Sequence, residues 1–317
     1  MRELRGWWRE FAGLVLPVAC GGCGRPRAPS GVCEACAGAL YGGRPGRVRP
    51  APEPPGLPAV HAAARYEDAP RAVLLAHKER GALGLARPLG AALAGAVRSA
   101  VRGSARGGVG GAAGAVGGTA DGVDEAVDGV GGAADRVTSG AGVAYPRPGW
   151  VHGPAVDAIQ ELVLVPVPSA RRSVGARGHD AARRIARAAA AELRRTGTPA
   201  RVAPVLRQRR TVDDQAGLSA RERLVNLSGA LEVVAGGRRL LAGGRVVLVD
   251  DLMTTGASLV EAARALAAPD GLPERAVRGR RVPGWGSTGR RPGNTRIRGP
   301  VAAVVAAPPI SFEINWN

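Results

Sequence analysis

The sequence predicts an α/β protein, a parallel sheet flanked by helices, carrying a small four-cysteine metal ribbon at its N-terminal end. Two apolar runs, LVLVPV at 162–167 and VVLV at 246–249, have the length and β-branched content of buried parallel strands. Each is followed by a polar turn and a segment whose apolar residues recur with helical period. All four cysteines fall within the first 36 residues as Cys20-x2-Cys23-x9-Cys33-x2-Cys36. A chain of 317 residues has room for one α/β domain of about 200 residues and such a module.

At the N-terminus, Leu4, Trp7, Trp8, Phe11 and Leu14 line one face of a short expected helix. A lipoprotein leader ending at Cys20 is disfavoured. Its apolar stretch, 11–19, is short and broken by Pro17, and Glu3 and Glu10 stand where a leader is basic. The two CxxC knuckles can close a tetrahedral thiolate site, for which Zn²⁺ is the structural ion of choice. Gly21, Gly22 and Gly24 suit the tight knuckle turns. Two disulfides or four free thiols are the alternatives. The nine residues between the knuckles are somewhat fewer than common ribbons use. No run reaches the length of a membrane-spanning helix, and an intracellular metal ribbon sets the expectation of a cytoplasmic protein.

The formal charge of +18 suits a polyanionic partner such as nucleic acid. A solvated basic surface explains it as well, because nearly all cationic residues are Arg, as an Arg-biased composition would produce in any protein. Lys78 is the only lysine. A lone Lys among arginines can mark a place that needs a compact ammonium instead of a guanidinium fork. It lies in RAVLLAHKERG, 71–81, which with Tyr66 reads as a strand or turn feeding a helix. Residues 101–150 hold 15 glycines, no Lys, and no aromatic before Tyr145, so they are expected to be a flexible insertion.

The strand at 162–167 ends at Pro168 and leads into Ser169, Ala170, Arg171 and Arg172. Backbone N–H groups and two guanidinium groups at a strand's carboxyl end can hold an anion. Residues 177–195 then read as a helix with Ile185, Ala189 and Leu193 inward. The stretch 207–226 is polar and lacks a strand period until Ser219 and Glu222 form a capping box. A loop there could close over a ligand, with Arg207, Arg209 and Arg210 as candidate anion contacts.

Residues 246–258, VVLVDDLMTTGAS, carry the sharpest chemistry. A buried strand ends in Asp250 and Asp251, and the turn at Thr254, Thr255, Gly256, Ala257 and Ser258 opens an amphipathic helix with Leu259, Ala262, Ala263 and Leu266 on one face. The unpaired N–H groups and positive dipole of that helix start can hold a phosphate, and Gly256 lets it approach the backbone. The carboxylates can accept hydrogen bonds from vicinal hydroxyls, directly or through a divalent cation. Diol plus phosphate describes a ribose 5-phosphate. The bland alternative is a core strand whose two carboxylates are merely solvated. No GxxxxGK[ST] string exists, and the nearest dinucleotide fingerprint, Gly108, Gly110 and Ala113, follows no strand.

This segment resembles the 13-residue signature of type I phosphoribosyltransferases, which bind phosphoribosyl pyrophosphate (PRPP). The order of the ribbon, Tyr66 and Lys78, VPVPSARR, RGHD, the series Arg207, Gln215, Leu218, Arg223 and Asn226, and VLVDDLMTTGAS is similar to that of the ComF family of competence-associated, phosphoribosyltransferase-like proteins. That resemblance covers about residues 15–100 and 155–268, with a last strand at 301–309. It implies a type I phosphoribosyltransferase-like sheet over 58–268, interrupted at 101–150, with residues 1–50 forming the N-terminal helix and ribbon. A disordered insertion at 269–300 and a final strand and tail at 301–310 complete the expected layout.

The implied ligand is PRPP with Mg²⁺. Asp250 and Asp251 would hold the ribose hydroxyls, residues 254–258 the 5-phosphate, and Ser169, Ala170, Arg171 and Arg172 the pyrophosphate. Asp250, Asp251 and Arg171 are the candidate catalytic residues, and Lys78 joins the ligand-binding set. The implied activity is phosphoribosyl transfer to an unidentified acceptor. The other implied role is PRPP binding without turnover by a factor that handles single-stranded DNA with a helicase-like competence partner. Two departures stand out: the long interruptions at 101–150 and 269–300, and RGHD where RGFN-type strings are common.

Overall fold

A computed structural model describes residues 19–26, 28, 30–106, 160–169, 174–175, 178–210, 212, 217–268 and 300–313. The expected N-terminal helix, most of the 101–150 tract, residues 269–299 of the expected 269–300 insertion and the trio Ala170, Arg171 and Arg172 lie outside these residues. The elements run α1 (Glu34–Ala37), a π-helical turn, β1 (Gly46–Val48), β2 (Val60–Arg65), α2 (Asp68–Lys78) and α3 (Ala86–Arg106). Then come β3 (Leu162–Pro166), α4 (Ala181–Arg195), β4 (Ala200–Val202), β5 (Leu206–Gln208), α5 (Ala220–Leu227) and β6 (Leu231–Val233). The chain continues through β7 (Arg245–Leu252), α6 (Ala257–Ala267), β8 (Val301–Ala307) and the short α7 (Ile310–Glu313).

Six strands form one mostly parallel sheet in the order β1-β2-β8-β7-β3-β4, with only the edge pair β1 and β2 antiparallel. The α/β class expected from the two apolar runs is what the chain adopts. Alternate residues of each strand feed opposite cores. Leu162, Leu164, Val247, Val249, Ala303 and Val305 face α3 and α4, whereas Val163, Val165, Val246, Leu248, Ala302 and Val304 face α6. Strand β8, VAAVVAA, is buried along its whole length between β2 and β7. A strand covered on both faces must be apolar throughout, and this one is.

Helix α4 starts where Asp180 accepts a hydrogen bond from the Arg183 N–H at 3.0 Å, and it buries Ile185, Ala189 and Leu193 as its period predicts. Against it lies α3. A Cβ added at Gly90 of α3 would stand 2.4 Å from the Ala188 Cβ and 2.8 Å from the Ala189 backbone nitrogen. Backbone cannot yield as a side-chain tip can, so Gly90→Ala should lower stability by about 1–3 kcal/mol. Thermal melts check this, with Gly38→Ala as the control. Gly38 has a helical φ of −56° and open space around it, so that change should be neutral or stabilising.

Strand β2 and the bend at Tyr66 feed helix α2, which takes in most of 71–81, and Pro70 sits in its first turn, where its missing N–H costs nothing. Two expectations change. Helix α3 runs to Arg106, so the first six residues of the 101–150 tract are helical rather than part of a flexible insertion. The polar stretch at 207–226 contributes Arg207 and Gln208 to β5, which pairs with β6 in a small antiparallel hairpin. Buried Glu261 of α6 pins that hairpin by accepting from the Leu231 N–H at 2.8 Å while paired with Arg264 at 2.6 Å.

Candidate functional site

From β3 the chain crosses through α4 to β4 on one side. From β7 it passes through α6, on the opposite face, and returns as β8 on the other side. Open α/β sheets bind ligands in the crevice that such a reversal leaves at the carboxyl ends of the two strands. Asp250 and Asp251 stand at that end of β7, and Ser169 stands just beyond β3.

The Asp251 side chain is only 6% exposed, and Lys78 reaches it from the last residue of α2. Lys78 Nζ lies 3.1 Å from Oδ1 and 2.9 Å from Oδ2 of Asp251. A buried carboxylate needs such a partner to remain charged. Asp250 Oδ1 accepts the Asp251 N–H at 2.8 Å. Burial first, and the neighbouring Asp251 charge second, push the Asp250 carboxyl up to about 8 against the pull of Lys78. Asp250 is therefore largely protonated near neutral pH, while Asp251 pairs with Lys78.

Past the carboxylates, Met253 is anchored by its N–H to the Ala306 carbonyl at 3.1 Å, and the loop turns outward through exposed Thr254 and half-buried Thr255. Gly256 takes φ +77° and caps α6. A Cβ there would also meet Leu57 Cδ1 at 2.8 Å, so both conformation and space demand glycine. Ala257 is buried and Ser258 half-buried in the first turn of α6, where backbone N–H groups lack helical partners. Arg223 of α5 donates from a terminal guanidinium nitrogen to Thr254 Oγ1 at 3.3 Å, and its Nε is buried without a hydrogen-bond partner. The Ser219–Glu222 capping box fixes the start of α5 and so aims Arg223 one turn later. Sequence reasoning found the box and gave Arg223 no site role; its place four residues after the cap was the available signal.

Ser169 Oγ donates to Asp180 Oδ1 at 3.4 Å, tying the loop after β3 to the start of α4. The three expected arginine contacts are placed otherwise. Arg207 and Arg209 lie 2.8 Å and 3.8 Å from the Glu232 carboxylate, and Arg210 donates to the Asn226 and Ser228 carbonyls at the end of α5. They brace the hairpin and α5, because a guanidinium settles on the nearest carboxylate or helix C-terminus. His179 has a similar bracing role, with Nε2 donating to the His77 carbonyl at 3.3 Å and its ring centroid 5.7 Å from that of His77.

The four cysteines converge as their spacing predicts. Their Sγ atoms lie within 4.8 Å of one another, all four are free thiols, and they could hold a metal ion. Cys23 and Cys33 Sγ are 3.6 Å apart, close to the edge of about 3.8 Å that follows from tetrahedral Zn–S bonds of 2.3 Å. For Cys20, burial resists ionisation, but N–H groups of Cys23, Cys33 and Gly22 outweigh it and lower the thiol to about 6. Burial and the neighbouring thiols push Cys36 up. The Cys33 thiol is lowered too, first by the Cys36 N–H. The module is no separate bead: Cys20, Val32, Cys36 and Leu40 share one core with Val73, Leu74, Leu85 and Leu89.

Magnesium, which the family resemblance implies, fits less well. Both oxygens of Asp251 face the Lys78 ammonium, and Asp250 Oδ1 already takes a backbone N–H. Among the described residues, the cysteines are the only group of three or more metal-ligating side chains. A magnesium ion held by this pair would compete with Lys78 at Asp251 and with a backbone N–H at Asp250 Oδ1. Among the described residues no helix is long and apolar enough to cross a membrane. No family model matches this chain, and no curated protein matches its sequence.

Proposed function

We propose that this chain is a PRPP-binding protein of the type I phosphoribosyltransferase kind, with Zn²⁺ as a structural ion in the Cys20, Cys23, Cys33 and Cys36 site. The observation that carries the reading is the adjacency, at a topological switch point, of two carboxylates, half-buried Asp250 and buried Asp251, and a glycine-capped helix start. Asp250 and Asp251 engage the vicinal hydroxyls of ribose. The first-turn N–H groups at 255–258 and the Arg223 guanidinium engage its 5-phosphate. Ser169, just beyond β3, engages the pyrophosphate.

In transfer, the bond from ribosyl C1 to the pyrophosphate oxygen breaks, an acceptor nucleophile bonds to C1, and the acceptor's proton passes to solvent. Positive charge develops on the ribose ring at that moment. The protein's part is positioning and electrostatic stabilisation. The test is calorimetric titration of the full chain with PRPP, run with and without magnesium. Saturable binding to the wild type, lost in the Asp251→Asn variant, supports the reading. Flat heats with the wild type in both buffers sink it.

A further inference from the structure

We infer that the Lys78 ammonium takes the place of a divalent cation in this crevice, so that the ribose-phosphate ligand binds without magnesium. The inference rests on the ligand reading above. It starts from the composition: Lys78 is the only lysine in a chain whose cationic residues are otherwise Arg. Chemistry separates the two side chains. A guanidinium is a wide planar fork, whereas an ammonium is a compact point charge that donates in several directions and resembles a small hydrated cation in size and field.

The placement of that charge is fixed by the fold. Lys78 ends α2, which is held down by buried Pro70, Val73, Leu74 and His77. His77, wholly buried, has Nδ1 3.2 Å from the Ala82 carbonyl, and its own carbonyl accepts from His179. These bonds lock the end of α2 over the crevice. The ammonium therefore meets Asp251, which lies 173 residues later in the chain, at 2.9 and 3.1 Å. The Lys78 side chain keeps 31% exposure, so the charge sits at the mouth of the crevice rather than sealed beneath it.

A divalent ion bridging ribose hydroxyls to this protein would take its protein ligands from the carboxylates at the end of β7. At Asp251 it would have to displace a paired ammonium from both oxygens. An ionised carboxylate has about four lone-pair sites, so Asp251 can hold Lys78 and still accept from ligand hydroxyls. The neutralising charge that such sites commonly draw from a metal is thus built into α2.

Calorimetric titration with ribose 5-phosphate, in buffer freed of magnesium without a chelator and in excess magnesium, tests this with the full zinc-loaded chain. The wild type should bind with affinities that agree within about twofold in the two buffers. Lys78→Gln should lose about 30-fold in the magnesium-free buffer and recover most of it when magnesium is added, because the ion then fills the vacated charge. A merely structural role for Lys78 would give no such rescue. Wild-type binding that requires magnesium overturns the inference and leaves the ligand reading intact. Equal binding by Lys78→Gln and wild type without magnesium overturns the role of Lys78. No wild-type binding of either ribose 5-phosphate or PRPP in either buffer overturns the ligand reading and this inference together.

Discussion

Cys23→Ser should release the metal from the N-terminal ribbon and lower the melting temperature by about 10 °C or more, at roughly 2–4 °C per kcal/mol for a domain of this size. Cys23 is the exposed member of the four, so the change removes a ligand while leaving the packing intact. Substituting Cys20 or Cys36, both buried in the shared core, would mix the two effects. The expected loss is large because structural zinc contributes about 10–16 kcal/mol of apparent binding free energy, comparable to the whole stability of about 5–15 kcal/mol of a typical domain. The core makes the consequence global. Cys20 and Cys36 pack with residues of α2 and α3, so loosening the ribbon also loosens the helix that carries Lys78. Elemental analysis should find one zinc per wild-type chain and none in the variant. A metal-free wild type that melts with the variant would refute the assignment.

Asp251→Asn and Asp250→Asn should behave as opposites although the residues are neighbours. Asp251→Asn removes the charge that pairs with Lys78 and the charged acceptor for ribose hydroxyls. Hydrogen bonds to charged groups contribute about 1.5–3 kcal/mol, so PRPP affinity should fall by about 10- to 150-fold. Asp250→Asn replaces a carboxyl that is already largely protonated at neutral pH, and affinity there should change little. The pH dependence of stability supplies the second readout. The Asp250 pKa is raised in the folded state, from 3.8 to about 8. Its stabilising contribution is complete below the ordinary carboxyl range and is lost as pH rises towards 8, since the unfolded chain ionises first. Denaturant titrations across that window should slope downward in the wild type, and the slope should flatten in Asp250→Asn.

The parts of the site that were legible in the sequence are those whose chemistry is local. Residues 246–258 carry strand, carboxylates, glycine turn and helix in one stretch, and the four cysteines declare themselves by spacing. What sequence reasoning missed is set by distant partners. Nothing near Lys78 announces Asp251, and nothing near Arg207 or Arg209 announces Glu232, to which both turn. Local rules also misled where packing overrides them. Gly90, Gly95 and Gly103 weaken the helical pattern of α3, yet Gly90 is required there by the close approach of α4. The last strand follows a long insertion that interrupts the resemblance. Its unbroken apolar run, VAAVVAA, nevertheless matches a central position, buried on both faces.

A crystal structure of the full chain with PRPP tests the central claim most directly. The account predicts the 5-phosphate on the N–H groups at the start of α6 beside Thr254 and Arg223, with the ribose hydroxyls within hydrogen-bonding reach of Asp251 and Asp250. Ligand bound elsewhere on the sheet, or a crevice left empty at saturating PRPP, would contradict it.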